Sequence, residues 1–304
     1  SFGVMAATVN ESETLSEGTA HSAEQDSATW KTYVERKRIV MQFLRYHLSL
    51  QNLQHHWNKV ELLKKCCFYL KVEPKHVNVR DQNHVMHRTD IFQLIDSWKF
   101  LKLKRLGKNQ TEIHLTLSTE LLEQLEQGRE ELSFYVKNCD MITFLSHWDV
   151  IIQRLSMLSE YMETLLSLEV PGKLFVKHDL VSHTDLRGAR LPNIKLSLYT
   201  KMPLIFDRKE SFAHKYWANL KWFSKSQESH LELYELHLKL LTNESQAEMG
   251  YRRTQHVTSN TCVVRALQPG CSYKFTIRRL TTPTLVLENW HDSIILKTKS
   301  NTVE

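Results

Sequence analysis

Two Ser-His-x-Asp strings carry the residue types of a serine-hydrolase triad, Ser146-His147-Trp148-Asp149 and Ser182-His183-Thr184-Asp185. In such a triad the histidine takes the serine proton and a carboxylate orients the histidine, so the three side chains must meet in space. Adjacent residues on a helix point about 100° apart, and adjacent residues on a strand point to opposite faces. We therefore predict that neither string forms a nucleophile–base pair, and we expect no enzyme activity.

The 16 histidines and five cysteines raise the question of a metal site. The densest group in sequence is Cys66-Cys67, with His55-His56 before it and His84-x-x-His87 after it. A structural zinc site normally shows two C-x2-4-C knuckles, and this sequence has none. Adjacent cysteines on a helix point different ways, which predicts one core thiol and one surface thiol. The eight glycines form no phosphate-binding loop. We expect neither a metal nor a cofactor.

The composition is typical of a globular protein that works inside the cell. Apolar residues make up 41% and charged residues 24% of the 304 residues. Five cysteines, two of them adjacent, imply no disulfide framework, which favours the reduced cytoplasm. No apolar run is long enough for a membrane span and no signal-peptide pattern is present, so we expect no membrane partner. The residues before Met5 are kept out of these interpretations.

The composition of the first part of the chain changes at Trp30. Residues 1–28 are small, polar and acidic, which predicts a disordered tail. Residues 29–170 predict a mostly helical domain, because apolar residues then recur at steps of three and four. The first such stripe predicts either one long helix ended by Pro74 or two helices broken near Gln51–His56. It consists of Ile39, Phe43, Tyr46, Leu50, Leu53, Trp57 and Val60.

The middle of the helical domain contains an alternating stretch, FLKLKRL-GKNQ-TEIHLTL, after a short helix predicted around Asp90–Trp98. Alternation around a Gly-Lys-Asn turn predicts a β-hairpin at residues 100–117. A further helix would then start at a cap on Ser118 or Thr119, and another at a cap on Asp140. The hairpin carries a candidate basic contact surface for nucleic acid, although a merely solvated face is the simpler interpretation. That surface consists of Lys99, Lys102, Lys104, Arg105 and Lys108.

After a connecting region at 171–202, residues 203–300 alternate apolar and polar side chains in about seven short runs, and 301–304 form a tail. This spacing predicts a two-layered immunoglobulin-like β-sandwich, and the whole chain an α+β multidomain protein. The Pro-Gly turn before Tyr273 predicts a corner at which the chain changes sheet and the tyrosine hydroxyl bonds to nearby backbone. Six residues are expected to hold the sandwich together: Trp222, Tyr234, Leu267, Pro269, Gly270 and Tyr273.

The element Leu267-x-Pro269-Gly270-x-x-Tyr273, preceded by a strand with Trp222 and one opening at Tyr234, resembles the fibronectin type III family. The resemblance covers about a third of the chain and implies a module that offers sheet faces, edges and loops to protein partners. It implies no catalytic residues. We expect a non-enzymatic intracellular interaction or scaffold protein that docks through this module and the helical body, with an acidic cytoskeletal filament among the fitting partners. A nucleic-acid binder using residues 98–108 is the alternative.

Overall fold

The computed structural model describes residues 22–168, 174, 180, 194–225, 232–241 and 248–301. The chain divides into two compact units that are not contiguous in sequence. The first, here the helical unit, takes Ser1–Glu61 and Glu112–Val170, and the second, here the β unit, takes Leu62–Thr111 and Pro171–Glu304.

The α-helices of the described residues are α1 (Ser22–Gln42), α2 (Leu50–Lys65), α3 (Ser97–Asn138), α4 (Met141–Ser146) and α5 (Trp148–Ser167). Their apolar stripes build one core in the helical unit, with Phe43, Leu125, Phe144 and Leu155 buried in it. The Asp140 carboxylate accepts the Thr143 N–H at 2.7 Å and caps α4, as predicted. The predicted mostly helical N-terminal region is confirmed.

The first helix differs from the prediction at both ends. It begins at Ser22, so residues 22–28 are helical, contrary to the predicted tail; residues 1–21 lie outside the described residues. A π-helical turn, Phe43–His47, follows α1. The helical conformation then stops, and α2 begins at Leu50. The extra residue in this turn changes the phase of the stripe. Leu48 is therefore buried, whereas Tyr46 and Leu50, predicted to face inward, are exposed.

The predicted β-hairpin at 100–117 is wrong, because those residues lie within the continuous helix α3. No new helix starts at Ser118 or Thr119 either; their hydroxyls donate to the carbonyls of His114 and Leu115, one turn earlier. The glycine in the supposed turn lies inside this helix and faces the strands. A Cβ on Gly107 would lie 3.3 Å from Leu198 and 3.5 Å from Val286, so this side of α3 passes close to the strands.

The segment after α2 is also different from the prediction. The helix ends at Lys65, and β1 (Cys67–Glu73) begins before Pro74 is reached. This run buries side chains on both faces, as a central strand does, and therefore lacks a helical stripe. Cys66 and Cys67 are accordingly both buried, contrary to the expected surface thiol. A hairpin of β2 (His76–Arg80) and β3 (Met86–Asp90) follows, and a 3-10 turn at Ile91–Gln93 stands where a helix was predicted.

The predicted β-sandwich is confirmed. One sheet has the order β10 (Thr261–Val264), β7 (Ala218–Ser224), β5 (Leu204–Phe206), with β6 (Phe212–Ala213) also paired to β7. The other has the order β13 (Ser293–Lys297), β11 (Ser272–Arg279), β8 (Tyr234–Leu241), β9 (Glu248–Val257). Period-two alternation sends one side chain of each pair into the core, which is why Leu220, Leu238, Phe275 and Val264 are buried.

A third sheet includes one strand from the connection between β11 and β13 and two strands from earlier in the chain. Its order is β12 (Leu285–Glu288), β1, β4 (Lys195–Lys201), all antiparallel. The loop that joins the last two strands of the sandwich is thus paired within the β unit through its strand β12. The loops and edges available for partners are correspondingly fewer than the sequence suggests.

Candidate interaction surface

The corner between β10 and β11 shows how the sandwich is held. The Tyr273 ring is buried and its hydroxyl accepts the backbone N–H of Gln268 at 2.8 Å. Leu267 is buried just before the turn, and its N–H donates to Tyr216 O at 2.8 Å. Gly270 adopts φ = +67°, which L side chains rarely adopt, after Pro269 has fixed the entry to the turn.

The two aromatic residues expected to brace the sandwich meet inside it. The Trp222 ring packs edge-on against Tyr234, with ring centroids 5.6 Å apart, and edge-on against Phe206 at 6.3 Å. The Tyr234 hydroxyl donates to a Glu232 carboxylate oxygen at 3.1 Å. Such T-shaped pairs add about 0.5–1.5 kcal/mol beyond the area that they bury.

The outer face of the β13-β11-β8-β9 sheet, here the basic face, gathers cations from all four strands. The register places Ile295, Lys274, Lys239 and Arg252 in one row across it. Among its outward side chains that the structure describes, Glu235 is the one carboxylate. The Lys and Arg residues of the basic face are Lys239, Arg252, Lys274, Arg278 and Lys297.

Glu235 lies among three basic side chains at one end of this face. Its carboxylate lies 3.1 Å from His237 Nε2, 3.5 Å from Arg278 Nε and 3.9 Å from His256 Nε2. One carboxylate thus faces three nitrogen bases at this end of the basic face. Cations placed directly opposite one another on neighbouring strands also repel.

A shallow depression of about 400 Å³ lies at the same end of the basic face, lined by His237, Arg252, Arg278 and His291 among others. Burial lowers the pKa of His291 below its usual value, and Arg278 and His237 lower it further, against the opposing effect of Glu288. The His291 Nε2 lies 2.6 Å from a Glu288 carboxylate oxygen.

The last residue of β11, Arg279, belongs to a buried ion cluster. Arg279 is buried; its Nε lies 3.2 Å from both Glu232 carboxylate oxygens, and its guanidinium donates to Met202 O at 2.8 Å. Lys201 Nζ adds a second contact to Glu232 at 3.1 Å. Burial by itself raises the pKa of the Glu232 carboxyl, but Arg279 and Lys201 outweigh it and hold that pKa below its usual value.

The five basic residues predicted on the hairpin lie instead on α3. Lys99, Lys102, Arg105 and Lys108 are exposed on the first turns of this helix, and Lys104 is half-buried. At steps of three they drift around the helix, so they do not form the compact tip that a hairpin offers.

The first Ser-His-x-Asp string places its serine and histidine within hydrogen-bond distance, although adjacent helical side chains were expected to point apart. The helix breaks at His147 between α4 and α5, and Ser146 Oγ lies 3.2 Å from His147 Nδ1. The same Nδ1 lies 2.8 Å from Thr143 O. A carbonyl only accepts, so Nδ1 carries the proton and cannot take one from Ser146. The second string, Ser182 to Asp185, lies outside the described residues.

The described residues contain neither a candidate metal site nor a candidate membrane span. Within them, no cluster of three or more His, Cys, Asp or Glu side chains is arranged to hold a metal ion. No described helix combines the length and the apolar character that crossing a bilayer requires. The five cysteines all carry free thiols. Burial raises the pKa of Cys66 and of Cys67 to about 11.

This chain belongs to a family of two-domain proteins with a fibronectin type III-like C-terminal domain. Residues 26–196 match the model described as "Family of unknown function (DUF5581) N-terminal domain". Residues 201–304 match "Family of unknown function (DUF5581) Fn3-like domain". The fibronectin type III resemblance of the last third is thereby confirmed.

The chain is similar over most of its length to fibronectin type III domain-containing protein 11. The Homo sapiens protein is 44% identical over 275 residues, which are 90% of this chain and 86% of that protein. The Bos taurus protein is 44% identical over 270 residues, which are 89% and 80% of the two chains. The order of a helical region followed by one such sandwich already pointed to this likeness.

Solved fibronectin type III domains match the sandwich at low identity. The FN5 domain of Drosophila Lar is 16% identical, covers 33% of this chain and 100% of its own, and has a TM-score of 0.25. The domain of human fibronectin type III domain containing protein 3 is 15% identical, covers 33% and 88%, and also has a TM-score of 0.25.

The sequence did not single out the basic face as a candidate site. Alternation shows which residues of a strand point outward, but only the pairing register shows that Lys274, Lys239 and Arg252 lie side by side. The available signal was the presence of Lys or Arg at the outward positions of several strands.

Proposed function

We propose that this chain is a non-enzymatic docking protein whose basic face binds an acidic surface of a protein partner. The observation that carries the proposal is the row of Lys274, Lys239 and Arg252 on three neighbouring strands. A row of cations at fixed positions gives the basic face a charge that complements an acidic partner.

Two features support a face rather than a loop as the docking element. The loop between β11 and β13 is engaged through β12 in the third sheet, and β1 and β4 complete that pairing. The basic face instead turns four strands toward the outside, with Arg252, His256 and Lys297 exposed. Rigid strands hold the cations at fixed spacing, which favours a specific partner over general attraction.

The proposal places the protein inside the cell as a scaffold or adaptor, with the helical unit as its second body. The free thiols of all five cysteines, three of them buried, fit a reducing compartment. An acidic filament of the cytoskeleton is one partner whose chemistry suits the basic face.

Affinity purification with a charge-reversed bait tests this function. The test variant is Lys239→Glu/Arg252→Glu/Lys274→Glu. The matched control, Lys209→Glu/Lys225→Glu/Arg265→Glu, changes the same charge at exposed positions away from this row. We expect proteins that the wild type and the control retain to fall about tenfold or more with the test variant, and raised salt to release them.

Two outcomes would contradict the proposal. The first is the same set of proteins on all three baits at the same yield, each bait being folded by circular dichroism. The second is loss of the captured set after nuclease treatment, which would assign the basic face to nucleic acid instead.

A further inference from the structure

A groove of about 1110 Å³ lies within the helical unit, along α1, the π-helical turn, the start of α2 and the last part of α3. We call it the helical groove. Its apolar residues are unusually exposed: Trp30, Met41, Tyr46 and Leu50 stand at 57%, 52%, 65% and 66% exposure. Such a grouping in a concave site is typical of a binding surface.

The exposed residues follow from two apolar stripes on α1. One stripe, with Tyr33, Val40 and Phe43, is buried in the core. The other, with Trp30, Val34 and Met41, stands outside at steps of four and seven. A surface helix needs only the first stripe in order to fold. The π-helical turn then directs Tyr46 and Leu50 to the same outer side, and such turns often occur at functional sites.

The charged residues that line the helical groove are all basic. Its described lining residues include no Asp or Glu, and they include Lys37, Arg38, Arg45, Arg129 and Lys137. Arg38 is paired with Glu35, and the Arg129 Nε donates to Leu48 O at 2.9 Å. Among the described residues, no carboxylate oxygen lies within 4 Å of the side-chain nitrogens of Arg45 or Lys137.

We propose that the helical groove binds an amphipathic helix of a partner protein whose apolar face is bordered by Glu or Asp. The apolar floor fits side chains at positions i, i+3 or i+4, and i+7 of such a helix. The basic lining complements carboxylates beside that stripe. A second copy of the same groove would oppose cation to cation, and a planar lipid surface does not fill a concave floor.

Fluorescence polarisation with synthetic peptides and the full chain tests the proposal. The probe is a labelled helix of about 18 residues, or five turns, with a Leu stripe flanked by Glu. One matched peptide has Lys at every Glu position, and another has the same residues in scrambled order. We expect the Glu peptide to bind about tenfold or more tightly than either matched peptide.

Variants locate the binding. Trp30→Ala/Leu50→Ala and Arg45→Glu/Lys137→Glu should each weaken the Glu peptide about tenfold or more. Ile113→Ala/Ile142→Ala, which trims apolar residues of 67% and 75% exposure outside the groove, should leave the affinity unchanged. Lys59→Glu/Lys209→Glu serves as the charge control. The triple Glu variant of the basic face should bind the peptide as the wild type does, which separates this proposal from the proposed function.

Equal affinity for the Glu and Lys peptides would overturn the proposal, as would full affinity in the Trp30→Ala/Leu50→Ala variant. Sedimentation with phosphatidylserine vesicles supplies the other arm. Vesicle binding that these groove variants abolish, without selectivity for the Glu peptide, would assign the helical groove to a membrane surface and contradict the helix.

Discussion

The basic face and the helical groove are both rich in Lys and Arg, but they differ in how far apolar side chains are exposed. In the sandwich, strand alternation sends Tyr273, Phe275 and Ile277 inward and leaves a polar basic surface outside. In the helical unit, α1 keeps a second apolar stripe exposed among its cations. The first surface should therefore bind through charge and weaken with salt, whereas the second should retain much of its affinity.

Two tryptophans give the largest expected contrast between these regions. Trp222 has 0% exposure inside the sandwich, whereas Trp30 has 57% beside the groove. We expect Trp222→Ala to lower the free energy of unfolding by about 3–5 kcal/mol. Trp30→Ala should change it by about 0.5 kcal/mol or less. Urea unfolding of both variants, with hydrogen exchange of each unit, is the measurement; similar losses would show that Trp30 serves the fold.

The next prediction concerns acid and the Glu232 carboxylate, which lies just before β8. The pKa of Glu232 is held below its ordinary value of 4.5 in the folded protein. Its contribution to stability is therefore complete above pH 4.5 and disappears as pH falls through the lowered pKa. We expect Glu232→Gln to cost about 1.5–3 kcal/mol near neutral pH, since it weakens charged hydrogen bonds to Arg279.

The measurement is the urea midpoint of wild type and of Glu232→Gln from neutral pH down to pH 3. The difference in stability between the two proteins should shrink as the wild-type carboxyl is protonated. Glu235→Gln, at the start of β8 on the basic face, is the matched control. A constant difference across that range would mean that the Arg279 ion pair does not stabilise the sandwich.

The smallest predicted effect concerns the corner. Tyr273→Phe removes the hydroxyl that accepts the Gln268 N–H while keeping the buried ring. We expect a loss of about 1–2 kcal/mol in the free energy of unfolding. Peptide binding at the helical groove should not change. An unaltered urea midpoint and slope would argue against the role of this hydrogen bond.

The sandwich was predictable from sequence because alternation and turn chemistry act locally. The inner residues Leu220, Leu238 and Phe275 follow from period two alone, and Gly270 follows from the conformation that its turn requires. The third sheet was not predictable, since β12 pairs with a strand more than 200 residues away.

The predictions for the helical part were wrong for a physical reason. Gly107-Lys108-Asn109 looks like a turn, yet Gly107 lies within α3, on the side that Leu198 and Val286 approach. Tyr46 and Leu50 continue a helical stripe in sequence, but the π-helical turn rotates them outward. The helical groove and the basic face both depend on such tertiary relations, so the sequence alone could not place them.

Zero-length carbodiimide cross-linking of the full chain to a partner recovered by affinity purification tests the central claim most directly. The reagent joins a lysine amine to a carboxylate only where the two are in contact. We predict that partner Asp and Glu residues couple to Lys239 and Lys274, and that Lys209 and Lys225, equally able to react, do not couple. Cross-links concentrated on Lys209 and Lys225, with none on Lys239 or Lys274, would contradict docking through the basic face.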